Sequence, residues 1–297
     1  MSSSTNTVWK SPSLALILAL VLGGGAASAQ EGALRVPSQA VAGTPVTIGT
    51  SGSGSGTFYL VGPGTSIKRD IELGKDVSLT AKEIQAAGRY VAIVCSGSCG
   101  SSGFFVAPGK PVDLAFIVHP SRVPVAENQA ISGVALTMDE NRNLVLSPST
   151  VQFELSAKGA SETSHSSATH DGIAWFRTSS GRSAGPLQIS ASLSNDVNTR
   201  RVVQQVASIP CNLRIKGQRT PKGILVETDP VRDCSGNPVP DGTIVTFTAK
   251  DGNRISSVDA PVKKDVASAT ILASGPVVIS AASGVAMGNE LRLGGKE

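Results

Sequence analysis

The sequence predicts an all-β protein made of tandem antiparallel β-sandwiches, and three observations support this prediction. Charged residues make up only 16% of the chain and aromatic residues 4%, which suits β-structure with many turns. Short apolar runs with the two-residue period of strands lie between Gly-, Pro- and Asn-containing turn signals. One of these patterns also recurs at the spacing of a whole domain, and the length allows two or three domains of ordinary size.

The clearest turn-plus-strand segment is 233–252, DCSGNPVPDGTIVTFTAKDG. Its Gly-Asn and Asp-Gly pairs favour tight turns, and its two prolines cannot donate to the ladder of a central strand. Val245, Phe247 and Ala249 then alternate with polar residues, as in a half-buried strand. Ile244 breaks the alternation, so we expect it at an edge or covered by the preceding loop.

A repeated pattern consists of a turn glycine followed by apolar residues at alternate positions. It begins at Gly88, Gly185 and Gly275, which are 97 and 90 residues apart. This period is too long for a solenoid and matches a whole immunoglobulin-like domain. The predicted domains are therefore 30–108, a divergent copy, then 109–207 and 208–297.

Helix is scarce in the predicted structure. The segment from Thr80 to Ala87 is the best candidate, because Thr80 is a suitable N-cap and Glu83 completes a capping box. We expect about two helical turns there, as a short crossover between strands.

Residues 1–29 resemble a secretory signal peptide. A single cation, Lys10, precedes an uncharged run from Leu14 to Leu22, and Ala27-Ser28-Ala29 forms a small-residue cleavage site. The alternative is a membrane anchor, but the run is shorter than the ~20 apolar residues that span a bilayer. We therefore predict a secreted or cell-envelope protein, periplasmic or extracellular, with no membrane span after cleavage.

The charge and motif content argue against several function classes. The formal net charge of the full chain is +4, and removal of residues 1–29, which contain one cation and no acid, lowers it to +3. The remaining charges are scattered along the sequence. A small and scattered charge does not favour nucleic acid as a partner. The sequence has no basic cluster, phosphate-binding glycine loop or calcium-loop spacing. We predict no cofactor and no metal.

The four cysteines of an exported protein are expected to form disulfides. Three pairings are possible, and local pairing favours Cys95–Cys99 and Cys211–Cys234. The alternative is a zinc site of four thiolates, which requires two distant segments without the C-x-x-C spacing to converge.

Two motifs resemble catalytic or metal sites without their structural context. The segment 181–185, GRSAG, matches the nucleophile elbow of hydrolases, but a strand pattern follows it and no histidine occurs after His170. His165, His170 and Asp171 lie in a Ser/Thr-rich stretch with no helix to gather them, and a turn is the simpler interpretation. We predict no catalytic residues and therefore a non-enzymatic protein.

Trp175, Phe176 and Arg177 are the candidate binding residues, because aromatic residues and arginine are enriched in binding hot spots. If the segment is a strand, one aromatic side chain faces the core and the other faces outward. Packing within the fold is the alternative use of both.

The segment 233–252, with the strand 245–249 and the closing run that begins at Gly275, resembles the bacterial immunoglobulin-like domains of the invasin/intimin family, of the Big-1 type. A weaker version of the pattern occurs at 139–145 and 151–153. The resemblance implies an immunoglobulin-like fold that serves as a rigid, repeated spacer in surface adhesins.

The leading hypothesis is an exported, non-enzymatic protein that acts in cell-surface structure, adhesion or protein binding. The alternative is an extracellular carbohydrate-binding or enzyme-accessory module, which uses Trp175-Phe176 and the pair Phe104-Phe105. The expected partner is accordingly a protein or a surface polysaccharide.

Overall fold

The computed structural model describes residues 34–193 and 197–294, and the predicted signal peptide, 1–29, lies outside them. The predicted all-β fold is confirmed. Three clusters of buried apolar side chains follow one another along the chain, and each lies between two sheets. No helix in the described ranges is long and apolar enough to cross a membrane.

The first sandwich surrounds a cluster that extends from Ala40 to Val106. Its strands are β1 (Leu34–Arg35), β2 (Ala40–Val41), β3 (Val46–Thr50), β4 (Ser55–Gly62), β5 (Thr65–Glu72), β6 (Val77–Leu79), β7 (Gly88–Ser96) and β8 (Ser98–Ala107). A three-stranded sheet, β1-β3-β6, faces a five-stranded sheet, β2-β8-β7-β4-β5.

The second sandwich surrounds a cluster that extends from Leu114 to Val203. Its strands are β9 (Asp113–His119), β10 (Arg122–Pro124), β11 (Ile131–Met138), β12 (Thr150–Ala157), β13 (Thr163–Ala168), β14 (Ile173–Thr178), β15 (Gly185–Ser192) and β16 (Asn198–Val206). The sheet β14-β11-β9 faces the sheet β10-β16-β15-β12-β13, so the arrangement of the first sandwich is repeated.

The third sandwich surrounds a cluster that extends from Leu213 to Ala286. Its strands are β17 (Pro210–Asn212), β18 (Ile215–Thr220), β19 (Gly223–Thr228), β20 (Arg232–Asp233), β21 (Ile244–Asp251), β22 (Arg254–Pro261), β23 (Ser268–Ile271), β24 (Val277–Ser283), β25 (Ala286–Met287) and β26 (Leu291–Leu293). The sheet β18-β19-β23 faces β22-β21-β24-β25, in which β24 also pairs with β26, and β17 pairs with β20.

Alternation along the strands builds these cores. Val245, Phe247 and Ala249 of β21 are buried, as their spacing predicts, and Phe153 is buried in the second sandwich. Ile244 opens β21 and is 48% exposed, so the preceding loop does not cover it. The inward side chains of both sheets therefore fill one core in each sandwich.

Two details differ from the predictions. The pairs β2–β8 and β10–β16 are parallel, so the sandwiches are not wholly antiparallel. The predicted two-turn helix is a short 3₁₀ helix, Ala81–Ile84. The Glu83 carboxylate does accept the Thr80 N–H at 2.8 Å, as the capping box predicts. The chain leaves helical geometry after Ile84 and enters strand β7 at Gly88, three residues beyond Gln85.

Candidate functional site

Strand alternation sends Trp175 and Phe176 to opposite faces of β14. Phe176 is buried, and its ring centroid lies 4.7 Å from that of Phe153. Trp175 is 66% exposed. Phe176 therefore belongs to the core of the second sandwich, and Trp175 is the outward aromatic residue of the pair.

Trp175 lies in a row of three exposed apolar side chains across the sheet β14-β11-β9. Val134 of β11 is in register with both Trp175 and Ile117 of β9. Ile117 is 63% exposed and Val134 is 37% exposed. Side chains directly opposite on one face have Cβ atoms about 4.5–5.5 Å apart, so the three form one continuous apolar patch. We call Ile117, Val134 and Trp175 the Trp175 row.

The rows on either side of the Trp175 row differ in polarity. On one side, Ser132 is in register with Arg177 and His119. The Arg177 side chain is exposed, and its Nε donates to the Gln129 carbonyl at 2.7 Å, which fixes its position. On the other side, Ile173 is opposite Leu136. The apolar patch therefore continues towards Ile173 on one side and has a polar margin at Arg177 on the other, and a polar rim beside an apolar centre is a usual part of a protein–protein contact.

The equivalent row of the third sandwich is polar. There Glu227 of β19 is in register with Lys216 of β18 and Ser268 of β23. The apolar row is therefore a feature of the second sandwich and not of the strand arrangement.

The segment 181–185 does not have the context of a nucleophile elbow. It leads into strand β15, with Gly185 at φ +144°. The N–H of Ala184 and the carbonyl of Arg182 are bound to the side chain of Asn237, at 2.8 Å each. The segment serves as a turn that contacts the third sandwich.

The histidine cluster is also a structural element. His170 and Ile173 exchange two backbone hydrogen bonds around a turn, with positive φ at Asp171 and Gly172. His165 lies on strand β13, where its ring stacks near Phe176 at 6.2 Å. In residues 34–193 and 197–294, no group of three His, Cys, Asp or Glu side chains is placed to hold a metal ion.

The cysteines form the two locally paired disulfides, Cys95–Cys99 and Cys211–Cys234. The first joins paired positions of strands β7 and β8. The second joins β17 to the residue after β20 at the start of the third sandwich. All four sulfurs are used in these bonds.

In the second aromatic pair, Phe104-Phe105, one side chain is buried and the other is exposed, as in Trp175-Phe176. Phe104 is buried, and its ring lies 5.6 Å from that of Tyr90. Phe105 is 55% exposed and is in register with Arg89. Its partner on the paired strand is therefore a cation, whereas the partner of Trp175 is Val134.

Sequence reasoning missed Ile117 and Val134. Both lie on strands in which the alternate residues, such as Phe116 and Ala135, are buried. An apolar residue at an outward position was the available signal. Only the register of the three strands shows that these residues and Trp175 form one row.

The chain is similar in fold to solved bacterial adhesins. No protein-family profile and no curated protein match it. The FdeC adhesin of Escherichia coli is 16% identical, with a TM-score of 0.56 over 88% of this chain and 96% of FdeC. Tandem immunoglobulin-like sandwiches, as in such adhesins, are the fold of this chain. At this identity the likeness concerns fold alone.

Two further solved structures are less similar. Invasin, a bacterial integrin-binding protein, is 14% identical, with a TM-score of 0.49 over 86% of this chain and 57% of invasin. InvD of Yersinia pseudotuberculosis is 12% identical, with a TM-score of 0.46 over 86% of this chain and 94% of InvD. The narrower Big-1 assignment stays a prediction.

Proposed function

We propose that this chain is an exported, non-enzymatic, adhesion-type module that binds a protein partner through the Trp175 row. The observation that carries the proposal is the continuous exposed patch of Ile117, Val134 and Trp175. An exposed patch of large apolar side chains on a soluble domain commonly marks an interaction site. We further propose that the domains are 30–108, 109–207 and 208–297, and that residues 1–29 direct export.

A protein partner suits the chemistry of this face. Trp is among the commonest hot-spot residues, and such residues bind best when their surroundings exclude water. Ile117 and Val134 supply apolar surroundings, and Arg177 offers a charged group at the margin. The similarity in fold to the FdeC adhesin is consistent with a role at a cell surface.

The first experiment tests export. Bacteria that produce the full chain are fractionated, and the mature N-terminus is determined by mass spectrometry. We expect the protein in the envelope or the medium, beginning near residue 30. Recovery of the uncleaved chain in the cytoplasm would refute the exported role.

The second experiment tests the face. Beads coated with residues 30–297 are applied to cultured epithelial monolayers, and adherent beads are counted. Trp175→Ser removes the largest apolar side chain, so we expect binding to fall by about tenfold or more. Ser268→Ala, at the matching position of the third sandwich, is the control. Equal adhesion by Trp175→Ser and the unaltered protein would overturn the proposed site.

Carbohydrate binding is the second candidate, because Phe105 and Trp175 both expose an aromatic ring. A glycan array separates the two functions. If a glycan retains the protein, and Phe105→Ala with Trp175→Ser abolishes that retention, the carbohydrate function replaces the first. Glycan retention that is unchanged by both substitutions would count against carbohydrate binding through these two rings.

A further inference from the structure

The junction between the first and second sandwiches contains an Asp-x-x-x-Asn loop, 139–143. The buried Asp139 carboxylate accepts the side-chain N–H₂ of Asn143 at 2.9 Å and the N–H of Gly109, in the linker, at 2.8 Å. Asn143 also reaches back to the first sandwich. Its Nδ2 donates to the Gln85 carbonyl at 2.8 Å, and its Oδ1 accepts the Ala87 N–H at 2.8 Å.

The junction between the second and third sandwiches has the same contacts in the loop 233–237. Asp233 accepts the side-chain N–H₂ of Asn237 at 3.0 Å and the linker N–H of Ser208 at 3.0 Å. Asn237 donates to the Arg182 carbonyl at 2.8 Å and accepts the Ala184 N–H at 2.8 Å. Each of the five groups has a counterpart in the first junction.

The turn that receives the asparagine is also repeated. Ala87 and Ala184 each precede a repeat glycine, Gly88 or Gly185, whose φ is +140° or +144°. These positive φ values are in a region that favours glycine, so each turn takes the same course. It presents one carbonyl and one N–H, spaced for a carboxamide.

We infer that the two Asp-x-x-x-Asn loops are equivalent joints, which fix the orientation of each sandwich on the one before it. The asparagine bridges the two sandwiches, and the aspartate holds both the asparagine and the linker. Interfaces between domains commonly permit relative motion unless they are large and apolar. Here the directed hydrogen bonds of each loop tie one sandwich to the one before it and limit that motion.

Asparagine is the side chain that this joint requires. Its carboxamide offers a donor and an acceptor in one plane, so it binds a carbonyl and an N–H at once. Replacement of Asn143 by aspartate removes the side-chain N–H₂ donor and places a second carboxylate beside Asp139. A glutamine is one methylene longer and cannot keep both the aspartate and the turn as partners.

Distance measurements by electron paramagnetic resonance test the joints. Nitroxide labels are attached through a keto amino acid at Ser66, Ser164 and Ser256, which are exposed on the edge strands β5, β13 and β22. This attachment leaves the disulfides intact. We expect narrow distributions for the 66–164 and 164–256 distances in the unaltered chain.

Substitution of each asparagine should loosen one joint only. Asn143→Ala should widen the 66–164 distribution roughly twofold or more and leave the 164–256 distribution unchanged. Asn237→Ala should do the reverse. Asn143→Asp, which keeps the size of the side chain, should act like Asn143→Ala. Asn128→Ala and Asn253→Ala change exposed turn asparagines and serve as controls.

Two results would overturn the inference. One is an unchanged width in Asn143→Ala and Asn237→Ala. The other is an unaltered chain whose distributions are already as broad as those of the variants. Hydrogen exchange of each core, measured in parallel, identifies any variant that unfolds. If the variant of one junction unfolds, the variant of the other junction tests the inference.

Discussion

The three-stranded sheets of the second and third sandwiches have the same strand order but different outer rows. Ile117 lies eight residues after Gly109, and Lys216 lies eight residues after Ser208, the two linker residues held by the joints. The strand order around them is also the same. One position therefore carries an apolar residue in the second sandwich and a cation in the third.

The comparison separates what the fold requires from what it leaves free. Phe153 and Phe247, 94 residues apart, are fully buried in their respective sandwiches, so the inward pattern is common to both. The outward pattern is not. Since a stable sandwich forms with Lys216 and Glu227 outside, the fold does not need Val134 and Trp175 there. Their exposure calls for another explanation, and a binding partner supplies one.

The largest expected effect tests the shared inward pattern. Phe153→Ala and Phe247→Ala each leave a cavity in a core, so each should lower the free energy of unfolding of its own sandwich by about 3–5 kcal/mol. Hydrogen exchange of peptides from each sandwich, measured by mass spectrometry, assigns the loss. An equal loss in both sandwiches from one substitution would contradict the view that the cores are separate.

The disulfide Cys211–Cys234 should distinguish the third sandwich from the second. The bond closes a loop of 23 residues. Its removal by Cys211→Ala with Cys234→Ala should lower the free energy of unfolding by about 3 kcal/mol. The loss should be confined to the third sandwich. Cys95→Ala with Cys99→Ala, which opens a loop of four residues, is the matched control and should cost less.

Acidification should affect both sandwiches alike. Burial raises the pKa of the Asp139 carboxyl, but hydrogen bonds from Asn143 and the N–H groups of Gly109 and Asn141 outweigh it, and the pKa is lowered. The pKa of Asp233 is lowered for the same reasons, through its own joint.

A lowered pKa in the folded state gives stability that is present above the ordinary aspartate pKa and lost as the pH falls below it. We therefore expect both joints to weaken below about pH 4. Asp139→Asn or Asp233→Asn should lower the free energy of unfolding by about 1.5–3 kcal/mol at pH 7. Each substitution should also reduce the acid sensitivity of the junction that contains it. Urea unfolding at pH 7 and pH 3 measures both quantities. Acid sensitivity that is unchanged in both variants would assign the effect to other carboxyls.

The sequence predicted the fold well because alternation and turn chemistry are local signals. Val245, Phe247 and Ala249 specify their own face, and Gly88 and Gly185 each open a strand, β7 or β15, at the same place in its sheet. The site and the joints depend instead on contacts between distant residues. Val134 and Trp175 meet only through strand register, and Asn143 meets Ala87 only when two sandwiches are stacked. The motif 139–143 was visible as a weak repeat, but its partners were not.

The smallest effect on stability belongs to an exchange of the two outer rows. Ile117→Lys, Val134→Glu and Trp175→Ser together give the second sandwich the row of the third. The introduced Lys and Glu are opposite each other and attract, so we expect the free energy of unfolding to change by less than about 1 kcal/mol. Bead adhesion should nevertheless be lost. The reverse exchange in the third sandwich is Lys216→Ile, Glu227→Val and Ser268→Trp. Added to the first exchange, it should restore part of the lost adhesion if the row alone is recognised. If the first exchange unfolds the second sandwich, the row is part of its structure, and the comparison with the third sandwich fails.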